Sequence, residues 1–456
     1  MMIRTLAIAW LTIREAIRSK LLLSLASLLV VGLVGLPFLI SGDNTLSGQI
    51  QVILSYTTTF AAAILSVTTL WTACGGLSSE IQDRRLYLVI TKPLHRYELW
   101  LGKWLGIMAV NAALLGLTGL IICAMAHHAI RSAEDSPKVK RQISEQFLNA
   151  HQGLQPLNPD WSPMAKEAAQ RLIQSGRAPV AMTTEAIEQR IIEELKLSRF
   201  TVPPGGSVQF AYQRPDSLHK KEHDLILSYK FDSTRPERSP VAARWTLGTD
   251  TDSQIQINVT NYPGVPATVV ISGDRIPATN LLAVMYERLD TNSQATLMLA
   301  DRTQGPELLV PSGSFGMNVI RGLFVILCRL AFLAALGLTA GCLLSTPVAI
   351  FAACFILILL ASAGYVESVA TSGVFYIPHE GPAPVQTVVD RVILHLFRGF
   401  NLVTHPISQL DPIPLLAAGR EVSLNMTLLA LGWLVGLYST ITAIVGITLF
   451  NRRELG

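Results

Sequence analysis

The residues best suited to mechanical work lie in a short charged segment, 78–103, between two apolar stretches. It begins with an acid, continues with a basic pair, breaks at a proline and enters the next apolar stretch through a Gly-Lys pair. These residues are Glu80, Arg84, Arg85, Pro93, Gly102 and Lys103. The flanking stretches, 56–77 and 104–126, are each long enough to cross a bilayer. A loop of this kind can pass movement from a soluble protein to two membrane helices, or its charges can simply solvate the connection.

Other reactive residue patterns are absent from the sequence. No GxxxxGK[ST] loop occurs, and Gly102-Lys103 lacks the glycines that would cradle a phosphate. The histidines have no HExxH spacing, and there is no GxSxG nucleophile motif. We therefore predict no catalytic, cofactor-binding or metal-binding residue in this chain, which is not expected to be an enzyme.

Polar residues inside the apolar stretches are the next candidates. Arg329 lies well inside the stretch 318–344, where an arginine is costly and usually faces a partner or water. No acid lies within any apolar stretch, so the candidate partners are Asn111, hydroxyl groups or a lipid phosphate. Alternatively, Arg329 extends towards the interface or only fixes helix packing.

A stripe of small and hydroxyl residues follows one face of the stretch 56–77. It includes Thr59, Ser66 and Thr69, spaced by three to seven residues. Such a stripe could line a passage, but small residues also allow helices to pack closely. Both interpretations stay open.

Composition places these residues in a membrane protein. The chain has 456 residues, of which 50% are hydrophobic and 15% charged, and its mean hydropathy is +0.41. Six stretches are apolar enough to span a bilayer: 21–40, 56–77, 104–126, 318–344, 348–366 and 426–450. We predict a polytopic α-helical membrane protein with six transmembrane helices. All five cysteines fall inside these stretches, so no disulfide framework is expected.

Short loops predict the orientation. Lysines and arginines are concentrated before the first stretch, in 78–103 and after the last stretch, whereas 41–55 has none. By the positive-inside rule both termini are cytoplasmic. Residues 1–20 predict an amphipathic helix in the cytoplasmic interface, or a plain basic flank that continues into the first span. The net charge of +4 therefore reflects the orientation of the chain in the membrane, and no nucleic-acid partner is predicted.

The long insert 127–315 is predicted to be an extracytoplasmic α+β domain. Its first part, 127–200, is expected to be helical, with one helix from Ser136 to Gly153, a second from Ser162 to Gly176 and a third from about Glu185. From 201 to 315, short β runs separated by Pro, Gly, Asp and Asn predict six to eight strands in a β-sandwich. A second external segment, 367–425, carries a predicted amphipathic helix ahead of the last span and the cytoplasmic tail, 426–456.

The charged segment, Gly102-Lys103 and the terminal Phe-Asn-Arg-Arg-Glu together resemble the permease subunits of type-2 ATP-binding-cassette exporters. The resemblance covers 1–126 and 318–456; the large insert departs from the family's minimal form. It implies that residues 78–103 meet a separate cytoplasmic ATPase subunit, which would hold the ATP and Mg. It also implies a second permease copy or homologue and a location in a bacterial cytoplasmic (inner) membrane.

Two functions are compatible with these features. In the first, the chain is the permease half of an exporter and moves an amphiphile, lipid-linked glycan, peptide or drug outward. In the second, the ATPase moves the external domain, which acts on an envelope protein as a mechanotransmission or assembly scaffold, and nothing crosses the membrane.

Overall fold

The computed structural model separates the chain into two compact units. The helical unit comprises Met1–Ala150 and Ser314–Gly456, and the strand-rich unit comprises His151–Gly313. The residues that the structure describes are 2–39, 46–82, 95–132, 149–157, 160–175, 184–213, 224–233, 239–248, 254–265, 267–273, 281–290, 296–299, 305–372 and 388–452.

Helices account for most of the described residues. In chain order they are α1 (Met2–Arg18), α2 (Lys20–Leu39), α3 (Leu46–Gln82), α4 (Arg96–Ser132), α5 (Ser162–Gln174), α6 (Thr184–Arg199), α7 (Phe315–Leu343), α8 (Thr346–Ala361), α9 (Ala363–Ser372), α10 (Val388–Gln409), α11 (Ile413–Ala417) and α12 (Leu424–Arg452). The middle of α12, Leu431–Ser439, is wound as a π-helix. Only α5 and α6 belong to the strand-rich unit.

Four of the described helices, α3, α4, α7 and α12, are long and apolar enough to cross a membrane. Helices α1 and α2 satisfy the same criterion only as a pair, with 68° between them. The predicted span 348–366 is not one helix, because α8 ends at Ala361 and α9 begins at Ala363. At the break, the Ser362 amide bonds to carbonyls of the last turn of α8. The prediction of six continuous spans is therefore confirmed in part.

Helices α3 and α7 pack closely in the centre of the helical unit. A Cβ added to Gly337 would lie 2.7 Å from the Cβ of Ala73, and one added to Gly341 would lie 2.7 Å from the carbonyl oxygen of Cys74. Only glycine at these two positions lets the helices approach this closely. Aliphatic side chains of α2, α4 and α8 complete the core around this contact.

The described residues of the strand-rich unit form two four-stranded sheets and a three-stranded one. Its described strands are β1 (Asn149–Leu154), β2 (Thr201–Val202), β3 (Ser207–Gln213), β4 (Leu225–Tyr229), β5 (Asp232–Ser233), β6 (Val241–Leu247), β7 (Ile255–Asn261), β8 (Ala267–Ile271), β9 (Leu281–Arg288), β10 (Leu297–Met298) and β11 (Glu307–Ser314). The sheet orders are β1-β11-β4-β8, β2-β10-β5 and β3-β9-β6-β7. The ladders β2–β10, β5–β10, β4–β11, β4–β8, β3–β9, β6–β9 and β6–β7 are antiparallel, with Phe210 of β3, for example, opposite Val284 of β9.

An aromatic core joins the two four-stranded sheets. Tyr229 of β4 meets Trp245 of β6 edge-on, with ring centroids 5.0 Å apart, and Tyr286 of β9 lies 4.8 Å beyond Trp245. Alternate residues of β9 are buried, as a half-buried strand requires. Residues of both sheets share one core, and the predicted strand-rich domain is therefore confirmed.

The predicted helical region 127–200 needs correction at both ends. Residues 127–132 continue α4, and Asn149–Leu154 form β1 instead of the end of a helix. Strand β1 pairs with β11 at the edge of a sheet, and this tertiary pairing outweighs the local helix signal around Gly153. The second and third predicted helices correspond to α5 and α6.

Candidate functional site

Helices α1 and α4 cross at two glycines of α4, a contact that we call the glycine junction. A Cβ added to Gly102 would lie 2.6 Å from the Cβ of Ile8, and one added to Gly106 would lie 2.6 Å from the Cβ of Thr12. Backbone carbonyl oxygens of α1 are within 3.0 Å of the same two positions. A side chain at either glycine would therefore push the helices apart.

Lys103 follows the first of these glycines and connects α4 to α3. Its side chain is buried, and Nζ donates a hydrogen bond of 3.1 Å to the carbonyl oxygen of Gly76. A buried ammonium must be compensated by such contacts. Gly76 has no side chain, and a Cβ added there would lie 3.9 Å from Nζ. The sequence Gly-Lys therefore brings α4 against two helices at once.

The first turn of α4 also contacts the last helix of the chain. The guanidinium of Arg96 donates to the carbonyl oxygen of Phe450 and lies 5.1 Å from the centre of its ring. Glu98 is buried and its Oε2 accepts a hydrogen bond of 3.2 Å from the amide of His95. Helices α1, α3, α4 and α12 thus meet next to the residues that flank the charged loop.

The predicted coupling residues divide into two groups. Glu80 belongs to α3, but its side chain, together with Arg84, Arg85 and Pro93, lies outside the described residues. Gly102 and Lys103 are buried inside the helical unit. They make internal contacts, because α1 covers the glycine and α3 covers the lysine, and their role in coupling to a partner stays a prediction.

A cavity of about 270 Å³ lies beside this junction, among α1, α3 and α4, with further lining from α7 and α8. The buried Lys103 and Asn111 both line it. Thr68 and Thr72 contribute hydroxyl groups from successive turns of α3. Sequence patterns do not reveal this cavity.

Asn111 contacts a hydroxyl residue of α3 instead of Arg329. Its Nδ2 donates a hydrogen bond of 2.8 Å to Oγ1 of Thr69, and both residues are buried. The Thr69 hydroxyl in turn donates to the Leu65 carbonyl oxygen over 2.6 Å. This chain connects α4 to α3 in the core.

The predicted hydroxyl stripe does not form one surface. Thr59 is exposed and bonds back to its own helix, while Thr69 is buried in the contact with α4. Ser66 borders a separate cavity of about 70 Å³. Further along the same face, Ala73 packs against Gly337. Helix packing, the second of the two interpretations, accounts for the C-terminal part of the stripe, at Thr69 and Ala73.

Arg329 faces an acid that lies outside the apolar stretches. Its Nη1 lies 3.7 Å from Oδ1 of Asp411, and both side chains are about one third exposed. The same carboxylate accepts a hydrogen bond of 3.1 Å from the amide of Ile413, which begins α11. The predicted partners of Arg329, namely Asn111, hydroxyls or a lipid phosphate, are corrected accordingly, although Ser66 borders the same small cavity. The segment between α10 and α12 lies along α7, and this places Asp411 next to Arg329.

Two further polar contacts hold this segment against α7. Arg321 Nη1 lies 2.6 Å from Glu421 Oε1. Asn318 donates to the carbonyl oxygen of Arg420 over 2.8 Å and accepts from the amide of Val422 over 2.7 Å. Residues 318, 321 and 329 share one face of α7. Together with their partners they form what we call the polar clamp.

Sequence reasoning missed the polar clamp because its acids fall in the external segment 367–425. Asp411 precedes Pro412 and Glu421 precedes the cap of α12, so both resemble ordinary loop acids. The available signal was an unpaired arginine in an apolar stretch, which required an acid from elsewhere.

The strand-rich unit provides no comparable site among its described residues. No group of three His, Cys, Asp or Glu side chains that could hold a metal occurs in the described chain. Burial raises the pKa of Tyr229 and of Tyr286, so both phenols are neutral core groups. Comparison with known proteins gives no identification either. No protein-family model, curated protein or solved structure matches this sequence.

Proposed function

We propose that this chain is the membrane-spanning permease subunit of an ATP-driven exporter. A separate cytoplasmic ATPase subunit, which holds ATP and Mg, would energise it through residues 78–103. The functional unit would contain two permease copies in a bacterial cytoplasmic membrane, with six spans per chain, both termini inside and the strand-rich unit outside. The proposal rests on the sequence resemblance and on the convergence of helices at the charged loop.

The observation that supports it most is the length and anchoring of the two helices on either side of the loop. Helices α3 and α4 have 37 residues each. At 1.5 Å per residue each is about 55 Å long, whereas the hydrocarbon core is about 30 Å thick. Their ends next to the loop can therefore extend beyond the bilayer.

Contacts at those helix ends could transmit a movement of the loop to several helices of the helical unit. The glycine junction connects α4 to α1, the Lys103–Gly76 bond connects it to α3, and Arg96 connects it to α12. A movement of the first turn of α4 would therefore act directly on α1, α3 and α12. On this view Gly102 and Lys103 transmit movement from inside the protein, and the loop itself meets the ATPase.

Co-purification of an ATPase tests the proposal. The full chain would be purified in mild detergent with its native neighbours, and the Glu80→Ala and Gly102→Ala variants would be compared with wild type. Gly116→Ala is a matched control on α4, because a Cβ at Gly116 meets no atom within 4 Å. We expect an ATPase with wild type and the control, loss of the ATPase with Glu80→Ala, and a bound but uncoupled ATPase with Gly102→Ala. Absence of an ATPase from the wild-type preparation contradicts the proposal.

A scaffold that acts through the strand-rich unit is the second candidate. This unit has its own closed aromatic core, and β11 ends at Ser314 directly before α7 begins at Phe315. No linker separates the strand from the helix in the chain, so movement of α7 could act on the unit. An ATPase rate that rises with a transported amphiphile favours the exporter. A cross-linked envelope protein and a rate independent of amphiphiles favour the scaffold.

A further inference from the structure

Strand β7 stands at the end of a sheet in the strand-rich unit. In the order β3-β9-β6-β7 it pairs with β6, and Val259, for example, lies opposite Ala243. Within the described part of the chain, the backbone of 255–261 makes no hydrogen bond outside this ladder. The opposite edge differs, because the Ala211 carbonyl oxygen of β3 accepts from the Leu157 amide. The outer edge of β7 is therefore open to pairing with another strand.

The side chains of β7 do not protect this edge. Its sequence, Ile-Gln-Ile-Asn-Val-Thr-Asn, has no charged residue and no proline, which are common means of blocking an edge strand. Ile255, Ile257 and Val259 pack against the aromatic core but remain partly exposed. On β8, at the edge of the other four-stranded sheet, Val269 and Ile271 are already buried. Strand β7 thus has both backbone and apolar surface that a neighbouring strand would cover.

A polar row crosses the exposed face of the sheet and ends at β7. Arg244 of β6 lies opposite Glu287 of β9 on one side and opposite Asn258 of β7 on the other. Its Nη1 lies 3.5 Å from Oε2 of Glu287, and its Nε donates a hydrogen bond of 3.1 Å to Oδ1 of Asn258. The Asn258 amide group has two N–H donors and a second oxygen lone pair beyond this bond. A second amide on an adjoining strand would match them.

The sequence of β7 is complementary to itself in an antiparallel pairing centred on Asn258. In this register Asn258 lies opposite Asn258 of the other copy, and Gln256 lies opposite Thr260. On the core side, Ile257 lies opposite Val259, and every side chain stays on its own face of the sheet. The pairing joins polar with polar and aliphatic with aliphatic groups, and it brings no like charges together. Such an isologous contact is the kind that a two-fold axis generates.

We propose that β7 pairs with β7 of a second copy of this chain, so that two four-stranded sheets become one of eight strands. At the ends of the pairing Ile255 faces Asn261, whose amide already donates to the Tyr229 hydroxyl of its own core. The inference deepens the proposed function, from which it takes the presence of two copies, by naming a surface on which they meet. It requires neither an ATPase nor a cargo.

Disulfide cross-linking of the full chain in mild detergent tests this register. Directly opposite residues of an antiparallel pair have Cα atoms about 4.5–5.5 Å apart, which a disulfide can bridge. We therefore expect Asn258→Cys to convert most of the chain to a covalent dimer under mild oxidation. Asn258 is exposed, so the substitution should leave the fold intact. Wild type gives the background, since its five cysteines lie outside the strand-rich unit.

Gln256→Cys is the matched control on the same exposed face of β7. In the proposed register its two copies are separated along the strands by ~13 Å, too far for a disulfide. It should stay monomeric on a non-reducing gel, and Thr260→Cys added to it should restore the covalent dimer. Equal cross-linking by Gln256→Cys and Asn258→Cys would mean random collision and would overturn the proposal.

A pair of charge variants tests the contact by a second route. In the Asn258→Cys background, Gln256→Glu with Thr260→Lys places opposite charges across the contact, whereas Gln256→Lys with Thr260→Lys places like charges there. The first should cross-link at least as well as Asn258→Cys alone, and the second several-fold less. Equal cross-linking by these two variants contradicts the proposal. So does the absence of a covalent dimer, or a cross-link from Asn258→Cys to a different protein.

The same samples separate this inference from the exporter proposal. Co-purification of an ATPase is measured on each variant before oxidation. A bound ATPase without a covalent dimer overturns the pairing alone, whereas a covalent dimer without an ATPase supports the pairing and contradicts the exporter.

Discussion

The glycine junction and the polar clamp hold the helical unit together by different means. At the junction, α4 contacts α1 through Gly102 and Gly106, and close backbone approach makes the contact. At the clamp, α7 holds the segment before α12 through Arg321 with Glu421 and through Arg329 with Asp411. One contact depends on the absence of side chains, and the other depends on charge.

This difference indicates how each contact responds to change. Close-packed backbone has no alternative geometry, so the junction can transmit a small displacement without absorbing it. Ion pairs exchange partners and depend on both charges being present. We therefore expect the junction to respond to added volume and the clamp to respond to removed charge.

Added volume at the junction should have a larger effect than loss of a charge at the clamp. Gly106→Ala places a methyl group 2.8 Å from the carbonyl oxygen of Ala9 and should lower the free energy of unfolding by about 2 kcal/mol. Gly116→Ala, on the same helix in open space, should raise it by about 0.5–1 kcal/mol through helix propensity. Unfolding of the two variants in the same detergent tests the contrast. Equal stabilisation of both would mean that α1 does not pack on α4 as described.

Removing one charge of the clamp should have a modest effect. Arg329→Met leaves Asp411 without its cation and, because both side chains are about one third exposed, should lower the free energy of unfolding by about 1 kcal/mol. Asp411→Asn added to Arg329→Met should recover more than half of this loss, because asparagine still accepts from the Ile413 amide. Denaturant unfolding in detergent of both single variants and the double variant measures the coupling. Additive losses would show that the two charges do not act as a pair.

The smallest effect is expected from an exposed charge, that of Asp160 in the strand-rich unit. The backbone hydrogen bond from Ser162 lowers the pKa of the exposed Asp160, whose Oδ1 lies 3.0 Å from that amide at the start of α5. Its stabilisation is therefore present above the unfolded carboxyl pKa of about 3.9 and is lost as pH falls through the lower folded value. Hydrogen exchange of α5 amides should be faster in Asp160→Asn than in wild type at pH 7. The difference in exchange rate should disappear at pH values below the folded pKa of Asp160, where its carboxyl is protonated. A difference that persists there would exclude the carboxylate as its cause.

Sequence reasoning succeeded where the signal is local and repeated. The stretches 56–77, 104–126, 318–344 and 426–450 correspond to long helices, because apolar runs of this length have no other stable form in a bilayer. Alternating β runs likewise correspond to strands β3, β4, β7 and β8. The break at Ser362 was missed because apolar composition continues across it.

The candidate site was predictable only in part. Sequence reasoning selected Gly102 and Lys103, but their burial against α1 and α3 depends on which helices meet. For Arg329 it left a partner, an extension towards the interface and a packing role open, and Asp411 is 82 residues away in the chain in a segment with no apolar signal. No local pattern encodes such a contact.

The sequence alone therefore determined that this is a helical chain of membrane type with a separate strand-rich insert, because hydrophobic length and alternation are properties of neighbouring residues. Only the tertiary structure decided that the Gly-Lys pair is internal, that Asp411 faces Arg329 and that a cavity opens beside Lys103. Those outcomes depend on the packing of helices distant in the chain, where a glycine permits contact and a buried charge requires a partner.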